Sequence, residues 1–309
     1  MTGALASASN NAALSDLTEA SARQTLVAAC EVVGLRPDGS RLMRLGEHAM
    51  FRLAPAVVVR IARSAAYVRD ARKEVSVARW LESVEYPAVR ALAIDQPLVI
   101  DGRVVSFWHA LSEDGATYGT TAEVAALLLR LHGLTPPDSL GLAELRPFAR
   151  AARRIETALW LSSGDREFLS ARQDQLAERY ERLAFVLPNG VIHGDASVGN
   201  VIRDAAGQAV LIDLDGFAVG PQEWDLVLTA MYFDGFGWHT RADYEQFVDV
   251  YRFDVMKWPG YPVLRDIREF LMVTWLSQKG ADDEQAAAEV RKRIASLRSG
   301  GSRRDWLPF

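Results

Sequence analysis

The stretch His193-Gly194-Asp195-Ala196-Ser197-Val198-Gly199-Asn200, followed after one short hairpin by Ile212-Asp213-Leu214-Asp215, constrains this chain more than any other feature. Two apolar runs, Val201-Ile202 and Ala209-Val210-Leu211-Ile212, flank the turn-forming Asp204-Ala205-Ala206-Gly207, so a β-hairpin is expected there. The fold-back brings Asn200 and Asp213 together at the open end. Their amide and carboxylate oxygens are hard donors, suited to a Mg²⁺ ion that keeps several waters and binds nucleotide phosphates. Asp195 lies five residues before Asn200, across a loop. There it is expected to face an incoming hydroxyl, orient it and accept its proton as a phosphoryl group moves. His193, closing the run Val191-Ile192-His193, is expected to hold the backbone of the loop rather than to do chemistry.

The pattern His-Gly-Asp-x-x-x-x-Asn with Ile-Asp-x-Asp resembles that of the aminoglycoside phosphotransferase and choline kinase superfamily. The resemblance implies an α+β, two-lobed protein-kinase-like fold, with a small β-rich N-terminal lobe and a larger, mainly helical C-terminal lobe. It also implies Asp195 as catalytic base and Asn200 and Asp213 as Mg²⁺ ligands, with Asp215 reaching a second metal or the substrate. Pro221-Gln222-Glu223-Trp224-Asp225-Leu226 is similar to the Pro-x-x-x-Asp-Leu segment of that family, so Asp225 is expected to brace the catalytic loop through hydrogen bonds. Gly194 stands where protein kinases carry the Arg of His-Arg-Asp, which leaves no cation for a phosphorylated activation loop. Only Gly216 to Glu223 separates Asp215 from Trp224, too short for a segment that docks a peptide. The acceptor implied is a small hydroxylated molecule.

Such an enzyme needs a nucleotide-binding lobe upstream. Val57-Val58-Val59-Arg60-Ile61 reads as a β-branched strand with one embedded cation, and Glu74 lies in an amphipathic helical stretch from Asp70 to Ser83. The resemblance makes Arg60 the cation on the nucleotide phosphates, held by Glu74; Arg52, Arg63 and Arg69 are the other candidates. No Gly-x-Gly-x-x-Gly precedes the strand. Leu45-Gly46-Glu47-His48-Ala49-Met50-Phe51 takes that place, with Gly46 alone permitting close approach to phosphate. Asp101-Gly102 joins two apolar runs, Leu98–Ile100 and Arg103–Trp108, as a hairpin turn. The next segment, His109 to Gly115, is by resemblance the hinge, where the backbone of His109 and Leu111 meets a purine edge and Trp108 backs the pocket. Phe107 and Trp108 read equally well as core aromatics.

Composition agrees with this plan. With 309 residues, 49% of them hydrophobic, the chain can bury a sizeable core and exceeds a typical single domain. The expected division is a disordered leader over residues 1–16, a nucleotide-binding lobe over 17–111 ending in the hinge, and a catalytic and substrate-binding lobe over 112–309. A net charge of −5 provides no basic field for a nucleic-acid partner. The single cysteine, Cys30, cannot close an internal disulfide, which favours a reducing cytoplasm. No apolar run is long enough to span a bilayer, and nothing in the sequence speaks to oligomeric state.

Farther along, Val124, Leu127, Leu128 and Leu131 recur at helical spacing from Thr121 to Gly133, and His132 is expected to cap or pack that helix. Leu145 to Leu187 reads as two charged helices with a turn at Ser162-Ser163-Gly164-Asp165. Trp224 to Lys279 concentrates aromatics and acids, among them Asp234, Phe236 and Trp238, which together with Asp215 are the expected acceptor-facing residues. A polycationic aminoglycoside would call for several carboxylates there, whereas the Asp234–Trp238 loop suits a less charged nucleoside or sugar equally well. Trp306, Leu307 and Phe309 are candidates to clip the Gly/Ser/Arg-rich tail onto the body. The expected activity is ATP- or GTP-dependent transfer of a γ-phosphate, with Mg²⁺, to a hydroxyl of a small molecule. Antibiotic inactivation leads; the alternatives are a metabolic kinase for a sugar or amino alcohol, a silent nucleotide-binding module and a metal-dependent hydrolase.

Overall fold

In a computed structural model of the chain, the described residues are 17–309 apart from 47, 55 and 113–116. The expected leader over 1–16, Glu47 in the stretch before the cation-bearing strand, and Glu113 to Gly115 at the end of the expected hinge segment therefore lie outside them. The chain divides into two compact units, Met1–Ser83 with Val89–Asp114, and Val84–Ala88 with Gly115–Phe309.

The first unit begins with helix α1 (Glu19–Val33), opened by a capping box between Thr18 and Ser21 and closed by Gly34 in a left-handed conformation. Strands β1 (Arg41–Leu45), β2 (His48–Leu53) and β3 (Val57–Ala62) come next, then helix α2 (Val68–Ser83), then β4 (Leu98–Ile100) and β5 (Arg103–His109). They form an antiparallel sheet ordered β1-β2-β3-β5-β4. Asp101 and Gly102 both have positive φ, the requirement of the two-residue turn that joins β4 to β5. Phe51, Val59, Ile61, Val105 and Phe107 pack with Leu26 of α1 in the core of this unit.

The second unit is mainly helical. Its elements in order are β6 (Thr117–Tyr118), α3 (Thr121–His132), α4 (Ala151–Thr157), α5 (Ser163–Glu181), β7 (Asn189–Ile192), β8 (Val201–Arg203), β9 (Ala209–Leu211), β10 (Ala218–Pro221), α6 (Glu223–Asp234), α7 (Arg241–Tyr251), α8 (Tyr261–Leu276) and α9 (Glu284–Ser299). The break between α4 and α5 falls earlier than the expected turn at Ser162–Asp165. Ser162 accepts a hydrogen bond from Asp165 N and so caps α5, placing Ser163 to Asp165 in its first turn. β8 and β9 pair as the expected hairpin, with Val201 opposite Leu211, and β7 pairs with β10. α6 is buried from Glu223 to Met231, which is why its sequence shows no polar face. Among the described residues no helix is long and apolar enough to cross a membrane.

Beyond α9 the tail returns to the body. Trp306 is fully buried, stacked on Phe236 at 5.4 Å and flanked by the guanidinium groups of Arg293 and Arg303. Its carbonyl accepts from Trp238 Nε1 at 3.2 Å. Leu307 and Phe309 stay exposed, so Trp306 alone of the three apolar residues makes the clip. Trp306→Ala should therefore cost about 3–5 kcal/mol, seen as a lower urea midpoint, whereas Phe309→Ala should leave the midpoint where it is.

Candidate active site

The catalytic loop runs from the end of β7 to the start of β8, and a buried carboxylate holds it. Asp225, in the first turn of α6, accepts from His193 N at 2.7 Å through one oxygen and from Gly194 N at 2.8 Å through the other. His132, at the end of α3, contacts the same carboxylate through Nε2 at 3.1 Å and Tyr251 Oη through Nδ1 at 2.7 Å. Burial pushes the Asp225 carboxyl up, but the hydrogen bond and charge of His132, with the charge and N–H of His193, outweigh it and hold it below the usual carboxylate range.

His193 turns its ring back along the loop. Its Nδ1 lies 3.2 Å from Asp195 N, and its Nε2 lies 2.9 Å from the carbonyl of Ile212, the residue before Asp213. Gly194 has φ +87°, and a Cβ there would sit 2.4 Å from the carbonyl oxygen of Gly216; a Cβ on Gly216 would sit 2.6 Å from the carbonyl oxygen of His193. Two glycines thus let the loop and the turn after Asp213 touch backbone to backbone. Asp213 itself is left-handed at φ 60°, a conformation Asp tolerates better than most residues and one that concentrates at functional turns.

These constraints gather the three central residues within the second unit. Asn200 Nδ2 donates to the Asp195 carbonyl at 2.9 Å and lies 3.4 Å from Asp195 Oδ2. Ile212 N donates to the Asn200 carbonyl at 2.9 Å, fixing Asp213 beside Asn200 at the mouth of the hairpin. With its nitrogen committed to the loop, the Asn200 amide has its oxygen left to bind a cation. Among the described residues no three His, Cys, Asp or Glu side chains converge as a metal cage. An Asn–Asp pair of hard oxygens instead fits a Mg²⁺ ion that takes its remaining ligands from water and phosphate. Asp215, one residue beyond Leu214, has Arg150 Nη1 at 4.0 Å.

One residue of this site escaped the sequence reading. Arg268, on α8, donates from Nη2 to Asp195 Oδ1 at 2.7 Å and from Nη1 to the Gly194 carbonyl at 3.0 Å. Its guanidinium lies 4.9 Å from the centre of the Trp224 ring, whose Nε1 donates to the same Gly194 carbonyl at 2.9 Å. Arg268 is buried while the Asp195 side chain remains 57% exposed. The available signal was an arginine set among Leu264, Ile267 and Phe270 on an otherwise core-facing stretch of helix.

In the first unit, Arg60 Nη1 bonds both carboxylate oxygens of buried Glu74, at 2.7 and 2.8 Å. Burial, and then the charges of Arg60, Arg44 and Arg63, push the His48 imidazole down to about 3. Gly46 donates its N–H to the His48 carbonyl at 3.1 Å. Trp108 is buried with its Nε1 on Ser106 Oγ, and His109 already donates its N–H to the Arg90 carbonyl at 2.9 Å. The expected hinge contact from His109 therefore cannot use that N–H; Leu111, two residues on, is half-buried.

The acceptor-facing expectation needs one correction. Phe236 is 2% exposed and packs on Tyr232, Trp238 and Trp306, so it supports its loop from inside and offers no face to a ligand. Trp238 is half-buried, and Asp234 pairs with Arg265 at 3.3 Å.

An exposed aspartate on a braced loop, next to an Asn–Asp pair within the helical unit, is the arrangement expected of a small-molecule phosphotransferase of protein-kinase-like fold. Residues 46–267 match the sequence model of the phosphotransferase enzyme family (APH), and the chain belongs to that family. No curated protein sequence matches it. Among solved structures it is similar to amicoumacin kinase hAmiN in complex with AMP-PNP, Ca²⁺ and Ami, at 14% identity and a TM-score of 0.69 over 94% of this chain and 98% of that one. It is also similar to an aminoglycoside 2′-phosphotransferase bound to GDP, at 13% identity and a TM-score of 0.62 over 92% and 98%. Choline kinase LicA from Streptococcus pneumoniae shares 13% identity with a TM-score of 0.58 over 89% and 99%. At such identities the likeness is one of fold.

Because the Asp225 carboxyl is depressed in the folded state, its contribution to stability is fully present above its unfolded value near pH 4 and is lost as pH falls through its lower folded value. Asp225→Asn should lose about 3 kcal/mol or more at pH 7. Urea unfolding from pH 7 to 3 should then show a shallower acid decline in the variant than in the wild type.

Proposed function

We propose that this protein transfers the γ-phosphate of ATP or GTP to a hydroxyl of a small molecule by direct in-line attack, with antibiotic inactivation as its leading role. The observation that carries the reading is the Asp195 carboxylate, exposed to solvent yet fixed by Arg268 and by the Asn200 contact to its own backbone. Its free edge accepts a hydrogen bond from the acceptor hydroxyl, orients that oxygen toward phosphorus and takes its proton as the new bond forms. Asn200 and Asp213 are the ligands for Mg²⁺, with Asp215 as a further one. When bound, the ion neutralises charge on the nucleotide phosphates. Arg60, held by Glu74, meets those phosphates as a fixed guanidinium, and its planar fork grips phosphate oxygens in pairs where a lysine would act as a point charge. Gly46 lets backbone approach the phosphates, and the segment from Trp108 to Leu111 borders the base. Similar structures that pair a nucleotide with a kinase of an antibiotic or with an aminoglycoside phosphotransferase support this cofactor and this role. A metabolic kinase would use the same steps on a different acceptor.

Replacing the base separates chemistry from binding. Asp195→Asn should lower turnover by about 10²- to 10⁴-fold, the usual worth of a general base, while nucleotide affinity measured by calorimetry stays within about threefold of the wild type. Acceptor phosphorylation that survives in the variant would remove Asp195 from its assigned role, and nucleotide hydrolysis that ignores every acceptor would favour a hydrolase. Arg268→Gln frees the carboxylate to rotate and should lower kcat by about 10- to 100-fold with KM for nucleotide unchanged, and Arg268→Lys should recover part of the loss.

A further inference from the structure

The ion pairs beside Asp195 bear on the charge of its acceptor. Arg265 and Arg268 stand three residues apart on α8, about 4.5 Å along the axis, on one face of the helix. Arg268 holds Asp195, and one turn away Arg265 holds Asp234, which also receives the Tyr261 hydroxyl at 3.4 Å. The other acids of α8 are equally occupied. Asp266 lies against Arg179 at 2.8 Å, Arg172 at 3.2 Å and Arg265 at 3.4 Å, and buried Glu269 lies against Arg303 at 2.9 Å. Of these, Asp195 and Asp234 are the carboxylates of the acceptor side, and each already meets a guanidinium group.

A polycation is recognised by carboxylates whose charge is not already neutralised. To bind here it would have to displace an arginine that already spans two partners, Asp195 and the Gly194 carbonyl for Arg268 and Asp234 and Asp266 for Arg265, and it would bring its own positive charge against the guanidinium left behind. Four residues after Asp234, half-buried Trp238 offers an aromatic face. Tyr232, two residues before Asp234 at the end of α6, supports that ring from within; burial, and then the Asp195 charge, push its phenol up to about 12. Tyr232 packs on Trp238 at 4.9 Å and on His239 at 5.5 Å, and Trp238 is half-exposed. Rings of this kind stack on the apolar faces of sugars and bases while hydroxyls point to polar neighbours.

We infer that the acceptor is an uncharged, hydroxylated ring compound of sugar or nucleoside type, and that the arginines of α8 exclude polycationic aminocyclitols. The inference rests on the kinase reading for the identity of the site and on the ion pairs for its charge preference.

Two measurements decide it. With labelled ATP and Mg²⁺, the wild type is assayed on neutral acceptors, namely nucleosides, N-acetylglucosamine and N-acetylated kanamycin, and on kanamycin and streptomycin as polycations. The best neutral acceptor should exceed the best polycation by about tenfold or more in kcat/KM, a gap of about 1.4 kcal/mol. In parallel, calorimetry at low salt should show no kanamycin binding to the wild type below about 1 mM, and binding gained in Arg265→Gln, where Asp234 loses its counter-ion. Arg265→Lys keeps the charge and should still refuse kanamycin. Preferred transfer to a polycation, or wild-type kanamycin binding tighter than about 100 µM, overturns the inference while leaving the kinase reading intact. Transfer to no acceptor of either kind, with nucleotide bound, counts against the kinase reading, and the calorimetry still decides the charge preference.

Discussion

Everything at the catalytic loop depends on the carboxylate of Asp225. It sits in the buried first turn of α6 and receives two consecutive backbone N–H groups, those of His193 and Gly194, one on each oxygen. Hydrogen bonds to a charged acceptor are worth about 1.5–3 kcal/mol each, and a buried donor left without one pays its full desolvation cost. The loop is therefore pinned where its chain direction changes, immediately before the base. His193 carries the constraint onward through its ring to the Ile212 carbonyl, so the loop and the hairpin end bearing Asp213 move as one piece. The backbone contact between Gly194 and Gly216 closes the same arrangement from the other side, at a separation that no residue with a Cβ could reach.

The Asp195 side chain is governed by a different balance. Asp195 is exposed, so its pair with Arg268 gains little stability from Coulomb attraction. Arg268 is nevertheless fixed, because its second nitrogen serves the Gly194 carbonyl and its face rests on Trp224. The cost of ordering the arginine is met within the core, and the carboxylate inherits a defined direction. A side chain that must stay open to a substrate is in this way oriented by one that is not.

The chemistry-bearing segments were legible because their signals are local. Turn residues between apolar runs specify the hairpin, and the hairpin by itself places Asn200 next to Asp213. The expected support from His193 and Asp225 came from the same stretch and its close neighbour. Arg268 was hidden because it lies 73 residues from Asp195, and nothing local distinguishes a buried arginine that reaches a loop from one that lies on a solvated helix. Phe236 misled for a related reason. A phenylalanine between two glycines reads as the tip of an open loop, but Trp306 from the far end of the chain covers it. The same tertiary return decides the tail, where three apolar residues were equivalent in sequence and only Trp306 found a slot between Arg293 and Arg303.

Helix α8 ties the orientation of the base to the charge of the surface beside it. One face carries Arg268 to the base and Arg265 to Asp234, while Asp266 faces α5 through Arg172 and Arg179 and Glu269 faces the tail through Arg303. On the proposed reading, the orientation of the base and the charge of the acceptor are then set from a single element, three residues apart. Arg265 also reaches Asp266 at 3.4 Å and Glu269 at 3.9 Å, but Arg172, Arg179 and Arg303 hold those two carboxylates as well, so α8 keeps anchors that do not depend on Arg265. Because Arg172 and Arg179 come from α5 and Arg303 from the tail, Arg268 has support for its place against Asp195 that is separate from Arg265.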